Sequence, residues 1–201
     1  MKFHSTKNKL YQVSFEEAVF KSLPPDNGLF YPNALPKLEA YWLENLKGMS
    51  KTEIGVKVAS QFIEDEIPAD RLEKIIEETI DFDIPLKKVS NQIAALELFH
   101  GPTWAFKDVG ARFLSRCMAY FIEQSNREIT ILVATSGDTG GAVAAGFFGI
   151  PGIQVKILYP KGKVSEIQRK QLTTWGGNIT AYEVAGTFDD CQRLVKQSFL
   201  D

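Results

Sequence analysis

The sequence predicts an α/β fold in two parts, a helical region over residues 1–90 and a parallel-sheet unit over residues 91–201. Three observations lead there. Capping signals and apolar residues at helical spacing fill the first part. Past Pro85, short apolar runs alternate with helical segments, the signature of right-handed βαβ units in a parallel sheet. The run Ile129-Thr130-Ile131-Leu132-Val133-Ala134 is almost unbroken in apolar character, as a central strand covered by helices on both faces would be.

The first part reads as short helices joined by turns. Ser14-Phe15-Glu16-Glu17 is a capping box, in which hydroxyl and carboxylate satisfy orphan N–H groups reciprocally, so a helix begins there and stops before Pro24-Pro25. Pro24-Pro25-Asp26-Asn27-Gly28 is a turn cluster, and Leu29-Phe30-Tyr31 is a short apolar anchor that ends at Pro32. Ser50-Lys51-Thr52-Glu53 repeats the box, followed by Ile54, Val58 and Phe62 as one stripe of an amphipathic helix. Pro68-Ala69-Asp70 starts another helix, carrying Leu72, Ile75, Ile76 and Ile80.

In the second part the expected strands cover residues 93–99, 129–134, 154–158 and 179–184. The expected helices cover residues 108–124, 139–148 and 165–175, with one more from near Phe188. That last helix has a cap at Thr187-Phe188-Asp189-Asp190 and a stripe of Cys191, Leu194, Val195 and Ser198. No stop signal follows before Asp201, so the sequence reads as a piece of a longer chain.

Composition narrows the function. Among 201 residues, 23 Lys and Arg against 25 Asp and Glu give a net charge of −2, which argues against a nucleic-acid binder. The longest uncharged stretch runs from Thr139 to Val155 with five glycines and Pro151, too short and too broken to span a bilayer. No apolar segment follows the basic residues near Met1, so the expected location is the cytoplasm. Cys117 and Cys191 lack metal-ligand spacing and suit reduced thiols in helices.

In open parallel sheets ligands lie outside the carboxyl ends of the strands. Two loops there carry chemistry. Thr135-Ser136-Gly137-Asp138-Thr139-Gly140-Gly141 joins a strand to a helix rich in small residues, presenting hydroxyls and first-turn N–H groups that favour a carboxylate or phosphate. Its glycines would let backbone approach a ligand closely. It fits neither the dinucleotide fingerprint nor a P-loop. Nor does it suit a serine protease, because Thr139 stands where the nucleophile would be and only His4 and His100 could act as base. The second loop is His100-Gly101-Pro102-Thr103-Trp104-Ala105-Phe106-Lys107-Asp108. Lys107 opens a helix whose dipole disfavours a cation, and Trp104, Ala105 and Phe106 form an apolar collar expected to desolvate its amine. A nucleophilic lysine opposite an anion cradle is what a Schiff-base enzyme needs, with a solvated surface lysine as the plainer alternative.

At these residues the sequence resembles threonine synthases, pyridoxal-phosphate enzymes of the tryptophan-synthase-β-like fold. The segment from Leu96 to Asp108 resembles their cofactor-lysine motif, and Ala134 to Gly140 their substrate-carboxylate loop. Ser5-Thr6 and Asp26-Asn27-Gly28-Leu29-Phe30-Tyr31-Pro32 resemble their N-terminal elements. The resemblance implies that Lys107 carries pyridoxal 5'-phosphate as a Schiff base. O-phosphohomoserine would displace it, and the freed amine would shuttle protons while phosphate leaves, water adds and threonine forms. It further implies that Thr135, Ser136, Gly137, Thr139 and Gly140 hold the substrate carboxylate and that Thr103 meets the substrate phosphate.

Asp138 stands where wider relatives carry an asparagine facing the cofactor, so its carboxylate is either turned away or protonated. His100 reads as a histidine hydrogen-bonded within its loop. Family members are longer, and the groups for the cofactor's phosphate and pyridine nitrogen come from a C-terminal part that this sequence lacks. Alone, the chain is expected to bind cofactor weakly and turn over nothing. Two alternatives stand beside this reading: another β-eliminating or β-replacing enzyme such as a dehydratase or cysteine synthase, and a non-catalytic module that binds a small anionic ligand.

Overall fold

The computed structural model describes residues 1–125 and 127–199. The chain divides into two compact units, Met1–Ile80 and Asp81–Asp201.

The first unit contains a sheet that helical periodicity does not announce. Strand β1 (Phe3–Ser5) lies between β2 (Gln12–Val13) and β3 (Phe30–Pro32), antiparallel to both, with His4 opposite Gln12 on one side and Tyr31 on the other. The expected apolar anchor at Phe30-Tyr31 is therefore a strand. Strands of two or three residues are too short to show a period.

The capping boxes form as read. Ser14 and Glu17 open α1 (Phe15–Lys21), and Ser50 and Glu53 open α3 (Lys51–Ile63) after an unforeseen short α2 (Ala40–Asn45). Helix α4 (Ala69–Thr79) buries Leu72, Ile75 and Ile76. The stripe expected on α3 is displaced: Val58 is 39% exposed, and the helix meets α4 through Gly55, where a Cβ would stand 2.6 Å from Ile76 Cγ2. A glycine thus sets which face lies inward.

The second unit begins with a hairpin. Strand β4 (Leu86–Lys88) pairs antiparallel with β5 (Ala94–Leu96), so the parallel strand expected over residues 93–99 is instead one arm of a two-stranded ribbon. The cause is a turn at Ser90-Asn91-Gln92, where the Ser90 hydroxyl accepts the Gln92 N–H at 3.3 Å and folds the chain back.

Helix α5 (Lys107–Ser125) follows, then β6 (Ile129–Ala134), α6 (Asp138–Phe147), β7 (Ile153–Pro160), α7 (Glu166–Thr173), β8 (Ile179–Val184) and α8 (Phe188–Ser198). The three strands form the expected parallel sheet, but in the order β6-β7-β8. Strand β7, not the apolar run of β6, is central, and its Val155 and Ile157 are fully buried. Successive crossovers added strands on one side, which leaves β6 at an edge among the described residues. The apolar run of β6 is only half-buried, with Thr130 exposed, so an unbroken apolar run fixes neither full burial nor rank in the sheet. Helix α8 starts at the Thr187–Asp190 capping box, while Leu200 and Asp201 of the expected helical ending lie outside the described residues.

Cys117 and Cys191 are free and buried in α5 and α8. No helix among the described residues is long and apolar enough to cross a membrane.

Candidate active site

The loop ahead of α5 is wound around a side chain that the sequence reading passed over. Asp108, 1% exposed, accepts the backbone N–H of Thr103 at 2.9 Å and also its hydroxyl. Gly101 is required there, because a Cβ would stand 2.5 Å from Asp108 Oδ2. Trp104 takes up the left-handed backbone, φ 60°, that turns the chain toward the helix, and its N–H donates to Gly101 O at 3.1 Å. An acidic residue in a helix's first turn, five residues after a threonine, was the available signal for this post.

Lys107 is the first residue of α5 and is exposed. Its Nζ lies 4.5 Å from the centroid of the Phe106 ring, and it has no carboxylate partner among the described residues. The expected collar is not closed. Ala105 is buried, but Trp104 is 70% and Phe106 58% exposed, so both rings flank the amine without covering it. His100 is hydrogen-bonded within its loop, with Nε2 at 2.7 Å from Glu97 Oε2.

The loop after β6 divides its labour. Thr135 is buried, and its hydroxyl accepts the N–H of Gly137 at 3.2 Å and of Gly140 at 3.0 Å while donating to Gly137 O. Two N–H groups expected to face a ligand are therefore used to build the turn. Ser136 and Thr139 are exposed, and their hydroxyls have no side-chain or loop partner among the described residues. They stand at the N-terminus of α6, where N–H groups and the helix dipole favour an anion. Asp138 is exposed and turned toward α7, where its Oδ1 accepts from Gln168 Nε2 at 3.0 Å. That bond directs one carboxylate oxygen of Asp138, the residue expected beside the cofactor, to α7.

The glycines of this loop are also needed for packing. A Cβ on Gly140 would meet Thr135 Cγ2 at 2.4 Å and Leu172 Cδ2 at 2.7 Å, and one on Gly137 would meet Gln168 Nε2 at 2.9 Å. Both Leu172 and Gln168 belong to α7. From the same helix, Gln171 Nε2 donates to Thr103 O at 3.2 Å, and its side chain lies against Gly141. On the far side α5 approaches α6 so closely that a Gly146 Cβ would stand 3.1 Å from the Ala111 backbone. The lysine loop and the hydroxyl-bearing loop are thus both fastened to α7.

The chain as a whole is similar to known proteins. Residues 2–80 match the family described as threonine synthase N terminus. A threonine synthase of Buchnera aphidicola is 47% identical over 202 aligned residues, covering 100% of this chain and 47% of that protein. The crystal structure of threonine synthase from Escherichia coli superposes with a TM-score of 0.91 at 43% identity, covering 99% of this chain and 46% of that one. The PLP-bound threonine synthase from Brucella melitensis gives 0.92 at 40% identity, covering 100% and 45%. The chain spans about half the length of the curated relatives it matches. Residues 84–200 match the family described as pyridoxal-phosphate dependent enzyme, a span that takes in Lys107 and the whole turn from Thr135 to Gly141. By that match, which covers more than half of its residues, the chain belongs to the pyridoxal-phosphate-dependent enzymes.

Proposed function

We propose that this chain is the lysine-bearing part of a threonine synthase, an enzyme that converts O-phosphohomoserine and water to threonine and phosphate. The observation that carries the reading is the likeness to the E. coli threonine synthase, which runs through 99% of the chain at a TM-score of 0.91.

The residues present fit pyridoxal phosphate: an exposed amine without a carboxylate partner among the described residues stands at Lys107, in the same unit as an anion-favouring helix start. When bound, the cofactor supplies an electron sink for negative charge developing on substrate carbon. The remaining work falls to the chain's own groups. Lys107 holds the cofactor covalently and, once released, is the amine that takes and returns protons at the substrate's α and β carbons. Ser136, Thr139 and the first-turn N–H groups of α6 bind the α-carboxylate, while Thr135, Gly137 and Gly140 form the turn that aims them. Thr103 secures the lysine loop through Asp108, and its hydroxyl reaches a substrate phosphate only if that bond opens. Groups for the cofactor's phosphate and ring nitrogen are expected from outside this chain, so alone it binds cofactor weakly and turns over nothing.

Reductive trapping tests the lysine assignment. After incubation with pyridoxal phosphate and borohydride, peptide mass spectrometry is expected to find the pyridoxyl group on Lys107 and to lose it in Lys107→Ala. Labelling spread evenly over surface lysines counts against the assignment. For the reaction, a full-length enzyme carrying this chain is expected to release phosphate from O-phosphohomoserine with threonine formed in step. A β-elimination product from another amino acid in its place would move the assignment to a dehydratase or cysteine synthase.

A further inference from the structure

We propose that Gln168 is a positioning residue that parks the Asp138 carboxylate away from the substrate carboxylate, a role that rests on the threonine synthase reading. A carboxyl side chain at the first residue of α6 sits beside the hydroxyls and N–H groups proposed to receive an anion, and carboxylate oxygens swung toward that anion would repel it. The structure shows what restrains it.

Gln168 is itself held on both sides. It is the third residue of α7, and its Oε1 accepts the Ser165 N–H at 3.1 Å, while the Ser165 hydroxyl accepts the Gln168 N–H at 3.2 Å. That capping box uses the amide oxygen, so the amide nitrogen is the atom left to face Asp138, and a nitrogen donor requires an acceptor opposite. The orientation of one side chain thus fixes the direction of the other. Gly137 completes the fit, because a Cβ there would stand 2.9 Å from Gln168 Nε2 and push the amide off its bond. One turn on, Gln171 donates to Thr103 O and Leu172 fills the space over Gly140, so α7 is clamped to both loops and Gln168 does not drift.

The capping box also provides the variant that separates this role from simple helix stability. Gln168→Glu keeps the acceptor that Ser165 needs, since glutamate serves at this box position as well as glutamine. It removes the donor and sets a carboxylate against Asp138. In the full-length holoenzyme, Gln168→Glu is expected to raise KM for O-phosphohomoserine about tenfold, the order for a like charge entering a partly solvated anion site. The kcat is expected to stay within about twofold, because the lost interaction concerns binding of the ground state and transition state alike. The Kd for L-threonine, read from the absorbance of the bound cofactor, is expected to rise in parallel, with the thermal midpoint unchanged.

The double variant Gln168→Glu with Asp138→Asn restores a donor and an acceptor with their places exchanged, and is expected to return KM and Kd to near the starting values. A wild-type enzyme that forms no threonine overturns the underlying reading. An active wild type whose Gln168→Glu variant keeps its KM and Kd, or whose defect persists in the double variant, overturns the parking role alone. A fall in thermal midpoint that accounts for the loss of binding, unrelieved by Asp138→Asn, assigns Gln168 to helix stability and overturns it too.

Discussion

Thr135 and Gly140 are joined twice: the threonine hydroxyl accepts the glycine N–H at 3.0 Å, and its methyl lies 2.4 Å from where a Cβ on the glycine would stand. The hydrogen bond draws the backbone in, and only the absence of a side chain permits the approach.

Gly140→Ala is therefore expected to cost about 2 kcal/mol by overpacking, measured by urea denaturation, and to weaken carboxylate binding by displacing the turn. Gly110 supplies the contrast. It lies within α5 with nothing inside 4 Å of a Cβ, so Gly110→Ala should stabilise by about 0.5–1 kcal/mol through the unfolded chain alone. A gain in stability at Gly140, or a loss at Gly110 as large as that at Gly140, would contradict the packing described.

Asp108 holds two donors of Thr103 in a buried place. Asp108→Ala strands both and is expected to cost about 3 kcal/mol, whereas Thr103→Val removes one donor with little change of shape and should cost about 1 kcal/mol. Denaturation midpoints check the pair. Similar small losses for both would show that the loop does not depend on this carboxylate.

Acid should loosen the first unit. The Ser5 hydroxyl, followed by the Gly28 N–H, holds the Asp26 carboxyl below its ordinary value, and the Ser50 backbone N–H, followed by its hydroxyl, does the same to Glu53. A carboxylate whose native pKa is depressed contributes stability that is complete above its unfolded value and is lost as pH falls through the native one. Thermal midpoints should thus decline as pH falls through and below the ordinary carboxylate range. Glu53→Gln, which keeps the capping box without a titrating group, should make the decline shallower. A curve parallel to that of the unaltered protein would remove Glu53 from the account.

The two thiols should be inert in the folded chain. Burial pushes the Cys117 thiol up to about 12, and burial followed by the Asp190 charge raises that of Cys191, while both side chains are fully covered. Because the thiolate is the reactive form, iodoacetamide is expected to modify neither until denaturant is added, as read by mass spectrometry. Rapid alkylation of Cys191 in native buffer would place α8 elsewhere.

Much of the fold was legible because its signals are local. The boxes at Ser14, Ser50 and Thr187 announce three helix starts, and each is satisfied within four residues. The β1–β3 sheet gave no such sign, since strands of two and three residues are held by partners as far away as Pro32. The segment around Ala94–Leu96 misled for a related reason. An apolar run says strand, but whether it pairs parallel or folds back depends on the short turn at Ser90.

In the candidate site, residue types and spacing picked out Lys107 and the turn from Thr135 to Gly141, because an amine at a helix start and hydroxyls at another are chemistry written in neighbouring residues. What the sequence by itself determined was the order of strands and helices from α5 to α8 and which two loops carry reactive groups. Only the tertiary structure decided that β7 is central and that Asp138 faces Gln168. The Asp138 contact depends on α7 approaching from some thirty residues away, and that approach is close because Leu172 packs on Gly140, which no local pattern specifies.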